Sequence, residues 1–529
     1  MRTIILLSLI LLSGQWNRIV AQNIPEDLDI TNEFCPAFKM ELKQRNIIAD
    51  TSRIIISDVC NVKSLQLNGQ SIVRNGNGSI KRDESGKNFR ISITSLNGLK
   101  YFTNLEELTL RIKSDHRISL DLSPNTALKR LEINRWNIDT LNLKQCRQLE
   151  WLDCSYNNLK QLDLGGNSSI RVLICRSNPL SELSINHATL LDSLDCSSCG
   201  LTSINLQNNS TLSYLNCSYN DIETLDLTNN KQLKTVIAGA LNRAISSYSR
   251  ERNLCKLLLP DNTQGSQGII RLECQNSNLE ELNISRLPYL ESLNCTRCNL
   301  QQLNTTSNPL LKTLVCSFNN ISRLDLSHNS SIKEIECGYQ GNPQEHYKFF
   351  SNEPVSLSLK ELILPVQKDN PDSLCLKKLS YSQSNLKVPV KFKMFPQLSE
   401  LACSATGISS LDIGYNKELR ILHCDRNPIR TLNLKNNRKL RQLNIRGLFI
   451  DKLDLSHNLF ISRIYCDSST NRTKLPELNG NEKLIVILNK YVDLEDVNFT
   501  LPVREEGLNI RQDGRYIHLP PKYIQIKRK

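Results

Sequence analysis

The stretch 149-LEWLDCSYNNLKQLDLGGNSS-169 decides the reading, because its spacing of Leu149, Leu152, Cys154, Asn157, Leu159, Leu162, Leu164 and Asn167 returns 21 residues later. Cysteine marks the period: Cys154, Cys175, Cys196 and Cys217, then Cys274, Cys295, Cys316 and Cys337, and later Cys403, Cys424 and Cys466, eleven of the 18 cysteines in the chain. One apolar frame around every one of them belongs to a stacked structural unit, not to a scatter of reactive thiols.

Written out, the unit is L-x-x-L-x-C-x-x-N-x-L-x-x-L-x-L-x-x-N-x-x. Its first half is the leucine-rich repeat signature, in which a short strand alternates inward and outward residues and the Asn closes the following turn; cysteine takes the place of the usual leucine. Where the thiol is missing, the slot is read as Leu110, Ile133, Ala238, Leu259, Leu364, Tyr381, Ile445 and Ile487, a substitution pattern that suits an interior packing position. A 21-residue turn with two short extended segments leaves no room for an outer helix. The expected fold is therefore all-β, with few or no helices: a right-handed leucine-rich repeat solenoid of about 18 turns with N- and C-terminal caps.

The tandem units 212-LSYLNCSYNDIETLDLTNN-230 and 311-LKTLVCSFNNISRLDLSHN-329 resemble the cysteine-ladder repeats of bacterial internalin-type surface proteins, and the lead-in 96-LNGLKYFTNLEELTL-110 is similar to internalin repeats as well. The resemblance covers roughly residues 95 to 490. It implies a solenoid that binds host or cell-surface ligands and is held at the envelope.

Outside the repeats, Met1-Arg2 followed by the apolar run Ile4 to Leu12 reads as a secretory signal, with cleavage expected after Ala21. No later stretch is apolar enough to span a bilayer, so the mature chain is expected to be secreted or at the cell surface without a transmembrane segment. Residues 22–94 read as an N-terminal cap with irregular first repeats, where a Cys35–Cys60 disulfide is plausible, residues 95–490 as the solenoid and residues 491–529 as a C-terminal cap with a hairpin near Asp513-Gly514. Two irregular turns look alike, 254-LCKLLLPDNTQGSQGIIRLEC-274 and 359-LKELILPVQKDNPDSLCLKKLSY-381, each with a proline that ends a strand; the preceding segments 241–253 and 338–358 are expected to protrude.

Few residues invite chemistry. Cys196/Cys199 and Cys295/Cys298 have C-x-x-C spacing, but the first of each pair is a ladder position and the second fills the Asn slot, so no metal site, redox function or cofactor is expected. Cys146 fills the second Asn slot of its own turn. His187, His328 and His457 fall on surface turns with no nucleophile or carboxylate tied to them by a motif, and no catalytic residues are assigned. The twelve N-x-S/T sequons, among them Asn167, Asn208, Asn283, Asn304 and Asn329, are produced by the repeat grammar itself. The formal net charge of +13 mildly favours acidic partners, yet its spread through every repeat reads first as a solvated surface. Nucleic acid is not an expected partner of an exported chain.

Binding is expected on the outward residues of the first strand, which stacked turns would present as one concave face. In a chain with only 5% aromatic residues, Trp151 and Tyr156 flank one strand and Tyr214 and Tyr219 hold the same two positions three turns on. Arg297, Phe318, Tyr339 and Arg426 continue the columns. Aromatic and arginine anchors suit an extracellular protein or glycan. The expected function is non-catalytic adhesion or recognition; the alternative is a structural, envelope-organising spacer without a discrete ligand.

Overall fold

The computed structural model describes residues 25–465 apart from 74, 76–78, 112–115, 240–253, 266, 342–358, 367–374 and 451, together with strands at 484–488, 498–500, 511–512, 515–516 and 524–528. The described chain divides into two compact units, Met1–Pro260 and Asp261–Lys529. Each is a parallel β-solenoid. In the first, eight first-strand segments pair side by side in parallel, from Ser64–Asn68 through Glu107–Arg111 to Thr235–Ile237. In the second, ten do so, from Arg271–Glu273 to Asn498–Thr500.

Three-residue strands suffice because each contributes a single inward side chain between two outward ones. Leu152, Leu173, Leu194 and Leu215 stand in register one turn apart and are fully buried, as are Leu293, Leu314 and Ile335. The slot two residues later is as dry. Ten ladder cysteines, Cys154, Cys175, Cys196, Cys217, Cys274, Cys295, Cys316, Cys337, Cys403 and Cys424, are at most 3% exposed and unbridged. Every one of these thiols is raised above its ordinary value, Cys175 and Cys274 first by the neighbouring Cys199 and Cys298 thiols and then by loss of solvation, the others chiefly by loss of solvation, which takes Cys217, Cys337 and Cys403 to about 12. They act as small apolar residues, each filled leucine or cysteine slot adding roughly 1.5–3 kcal/mol when fully buried.

Two asparagine ladders hold the turns together. Asn157 Nδ2 donates to the carbonyls of Cys154 in its own turn (2.9 Å) and Ile133 one turn back (2.8 Å), while its Oδ1 accepts from the amides of Trp136 and Ile138. Asn178, Asn319 and Asn427 repeat the pattern. The second ladder, Asn167, Asn209, Asn230, Asn308 and Asn437, donates to carbonyls 21 and 24 residues earlier. Such bonds occupy backbone groups that the tight turns leave without a sheet partner.

Three assigned ladder slots are corrected. Lys256–Leu258 pairs with Thr224–Asp226, Glu361–Ile363 with Arg323–Asp325, and Leu484–Leu488 with Lys452–Leu455. Leu259, Leu364 and Ile487 therefore belong with the second strand of a turn and add no turn of their own. The physical reason is that each irregular turn carries an insertion between its two strands, so the L-x-x-L-x-L-P run completes one turn and does not begin the next. The segments expected to protrude, 241–253 and most of 338–358, lie outside the described residues, as does the signal segment 1–21.

Among the described residues there are two α-helices, Pro36–Gln44 and Ile56–Val59, so the described fold is nearly all-β. The first closes the N-terminal end of the core. Pro36 opens it, and its inner face buries Ala37, Phe38 and Leu42, with Phe38 stacked on Phe102 at 6.4 Å. Gly98 is required here, since a Cβ would fall 2.2 Å from the Phe34 ring. The Cys35–Cys60 disulfide is not formed; both thiols are unbridged, and Cys35 Sγ donates to the Ser95 carbonyl at 3.5 Å. Towards the C-terminus, Arg511–Gln512 and Arg515–Tyr516 pair antiparallel around positions 513–514, as a hairpin there requires.

Candidate functional site

The candidate residues fall into two columns fixed by the repeat. Trp151 and Tyr214 begin first strands, one outward position ahead of the buried leucine. Tyr156, Tyr219, Arg297, Phe318, Tyr339 and Arg426 all sit two residues past the ladder slot, and all six have positive φ, between 55° and 60°. Sequence reading placed them on the face without showing this. The left-handed conformation arises because the chain must leave the strand sharply. Ser155 folds back onto Asp153 Oδ1 through its amide and hydroxyl, Asn157 caps the Cys154 carbonyl, and the residue between them turns its amide to the next coil. Tyr156 N accordingly donates to Arg176 O at 2.9 Å, and Tyr339 N to Ser382 O at 2.8 Å.

Left-handed geometry costs a side-chain-bearing residue roughly 1 kcal/mol or more, and glycine or asparagine is the cheap occupant. This column uses them at Asn276 and Gly447 and otherwise carries Arg135, Tyr156, Tyr219, Arg297, Phe318, Tyr339 and Arg426 among smaller residues. In the first unit, the Tyr156 ring is clasped between the guanidiniums of Arg135 at 4.5 Å and Arg176 at 5.1 Å, while Arg130 lies 4.2 Å over Trp151. In the second, Arg297 stacks on Phe318 at 4.5 Å and Phe318 on Tyr339 at 4.7 Å with 12° between the ring planes. Burial and then the Asp425 carboxylate raise the Tyr339 phenol, with Arg426 acting in the opposite sense. Tyr339 and Arg426 are thus within electrostatic reach, although Gln383 and Ala405 stand between them in the column.

Within the first unit the four candidate residues do not form one cluster. Tyr214 stands between Ser193 and Thr235 on the adjacent strands. It and Tyr219 are separated from Trp151 and Tyr156 by turns carrying Val172, Ser177, Ser193 and Ser198. Arg130, Arg135, Arg176, Arg446 and Tyr465 were missed by sequence reading, although arginine one turn from an aromatic in the same or adjoining column was the available signal.

The thiols outside the ladder play backbone roles. Cys199 Sγ donates to Cys175 O at 3.3 Å and Cys298 Sγ to Cys274 O at 3.1 Å, as the Asn ladder does elsewhere. Cys146 Sγ reaches Leu122 O at 3.2 Å, in the second Asn slot. Among the described residues, no group of three or more His, Cys, Asp or Glu is arranged to hold a metal ion. Of the sequon asparagines, Asn167 and Asn329 are 0% exposed within the second ladder, whereas Asn208, Asn283 and Asn304 are exposed.

These features define a leucine-rich repeat protein with a cysteine ladder, the fold of internalin-type proteins. Among solved structures it is similar to the functional domain of InlJ from Listeria monocytogenes, described as including a cysteine ladder, with 21% identity, a TM-score of 0.60, and coverage of 82% of this chain and 83% of that one. The leucine-rich repeat protein LIC12759 of Leptospira interrogans aligns at 18% identity and a TM-score of 0.50 over 73% of this chain and 92% of its own. No protein-family model and no curated protein sequence matches the chain.

Proposed function

We propose that this chain is an exported, non-catalytic recognition protein that binds an extracellular protein or glycan through the outward residues of its first strands. The observation that carries the reading is the Arg297–Phe318–Tyr339 stack, built at left-handed positions where glycine would cost the backbone less. Conformational strain concentrated on rigid aromatic and arginine side chains is a signature of binding surfaces. Trp151, Tyr156, Tyr214 and Tyr219 in the first unit, with Arg426 in the second, are secondary anchors of the same kind. No helix among the described residues is long and apolar enough to cross a membrane. Together with the apolar N-terminal run, this supports a secreted or cell-surface location.

The test is a screen of the purified chain against arrays of glycans and extracellular proteins, repeated with Phe318→Ala/Tyr339→Ala and with Trp151→Ala/Tyr219→Ala. A ligand of the aromatic column loses at least tenfold in affinity to one of the double variants while the thermal transition stays cooperative. Unchanged binding of every ligand found would refute the column as a site and restore the spacer reading.

A further inference from the structure

Four residues ahead of each ladder slot, one side chain per turn leads into the first strand. In the second unit, beyond Glu291, this lead-in column reads Lys312, Lys333, Lys377, Ser399, Arg420 and Arg441. The backbone proves that they are neighbours: Lys377 N donates to Lys333 O at 2.7 Å, Ser399 N to Lys377 O, Arg420 N to Ser399 O and Arg441 N to Arg420 O, each at 2.8 Å. Lys333 and Lys377 are 44 residues apart in sequence, yet they stand on adjacent turns, at a strand spacing of about 4.8 Å.

Lys312 is paired with Glu291 at 2.7 Å. Lys333, Lys377, Arg420 and Arg441 are exposed and make no ion pair among the described residues. Lys417 and Arg438, also exposed, widen the strip three residues earlier in the turns of Arg420 and Arg441. Of the acids of the same turns, Glu334, Glu336 and Glu400 lie one step or more further on, in the strands proper, with Glu336 engaged by Lys378, while Glu418, two residues ahead of Arg420, is held by Lys439 at 2.6 Å. Like charges facing one another on adjacent strands repel, so the column contributes nothing to the fold. An opposing charge from outside would remove that repulsion.

We propose that the lead-in column of the second unit binds an extended acidic polysaccharide bearing sulfate or uronate groups. A single file of ammonium and guanidinium groups repeating once per turn matches a stiff chain whose anions recur along its length, and the two arginines can each donate two N–H bonds to such a group. A protein partner would centre on aromatic anchors, and single-stranded nucleic acid on rings interleaved with the charges. The column holds neither: Phe318 and Tyr339 lie six residues along their turns, about 20 Å away for extended chain. The proposal is thus independent of the aromatic site.

The experiment measures binding of the full chain to heparin and to polygalacturonate as a function of salt. The variant Lys333→Ser/Lys377→Ser/Arg420→Ser/Arg441→Ser uses the residue that this column already carries at Ser213, Ser399 and Ser462. Lys129→Ser/Arg171→Ser/Lys234→Ser, in the corresponding column of the first unit, controls for the loss of three of those four charges. The expected result is at least a tenfold loss for the quadruple variant, with a plot of log affinity against log salt shallower by about three to four. The control and Phe318→Ala/Tyr339→Ala retain binding. If the quadruple variant melts differently, Lys377→Ser and Arg420→Ser singly are expected to lose about threefold each. Retained binding in these variants, or an equal loss in the control, overturns the proposal; so does a single-stranded oligodeoxynucleotide that binds as tightly as heparin.

Discussion

In the first unit the lead-in column alternates in sign, Glu106, Lys129, Glu150, Arg171 and Asp192 on successive turns, whereas in the second it runs Lys312, Lys333, Lys377, then Arg420 and Arg441. Lys129 and Lys63 both close on Glu106, at 2.7 and 3.1 Å, and from Lys63 to Asp192 each charge of the first column faces its opposite one turn on. Beneath both columns the core is the same: leucine and cysteine at 0–3% exposure, asparagine ladders across the turns. The contrast teaches that the repeat dictates the interior and leaves the lead-in column free, so a departure from charge alternation is information about partners and not about folding.

The largest expected effect tests the shared interior. Desolvation places the ladder thiols above the ordinary value of 9.0, so their stabilising contribution is complete below about 9 and is lost as pH rises towards 12. Each thiol that ionises only in the unfolded chain steepens the loss by about 1.4 kcal/mol per pH unit, and ten of them together give a slope on the order of 10 kcal/mol per unit. Both units are therefore expected to unfold in one narrow window just above pH 9, followed by circular dichroism and by alkylation mapped to peptides. A unit that survived to pH 11 would break the equivalence of the two cores.

Next in size, Cys196→Ser in the first unit and Cys316→Ser in the second each place a hydroxyl in a dry slot. About 2 kcal/mol of stability should be lost in either, read from urea midpoints, and less than about 1.5 kcal/mol with Val at the same positions. Smaller again are the left-handed positions. Ala405→Gly, at φ 53°, should gain up to about 1 kcal/mol, and Gly447→Ala, at φ 65° with its Cβ 3.4 Å from Arg426 Cα, should lose a similar amount. The smallest effect sharpens the comparison most. Lys333→Glu should raise the melting temperature and Lys129→Glu should lower it, and both shifts should fade in about 1 M salt. Equal signs would show that the two columns do not differ electrostatically.

The interior was legible because buried slots accept few residue types, so Cys154, Cys175 and their successors repeat in register. What escaped reading had a local cause in each case. Leu259, Leu364 and Ile487 were assigned to the ladder because L-x-x-L-x-L describes both strands of a turn equally well, and only parallel pairing with Thr224–Asp226, Arg323–Asp325 and Lys452–Leu455 separates them. The six left-handed side chains were visible as a column, but the sign of φ is set by the sharp exit of the backbone from each first strand and leaves no mark in composition. The basic file was read as diffuse surface charge, since insertions hide that Lys333 and Lys377 are one turn apart. Asn167 and Asn329 form sequons although the turn buries them completely.

The measurement that bears most directly on the stacked-coil account is thiol alkylation at neutral pH, with peptide mapping by mass spectrometry before and after denaturation. The account predicts that exposed Cys255 reacts with the native protein while Cys154, Cys175, Cys196, Cys217, Cys274, Cys295, Cys316, Cys337, Cys403 and Cys424 react only once it is unfolded. Native-state labelling of the ladder at the rate of Cys255 would contradict it.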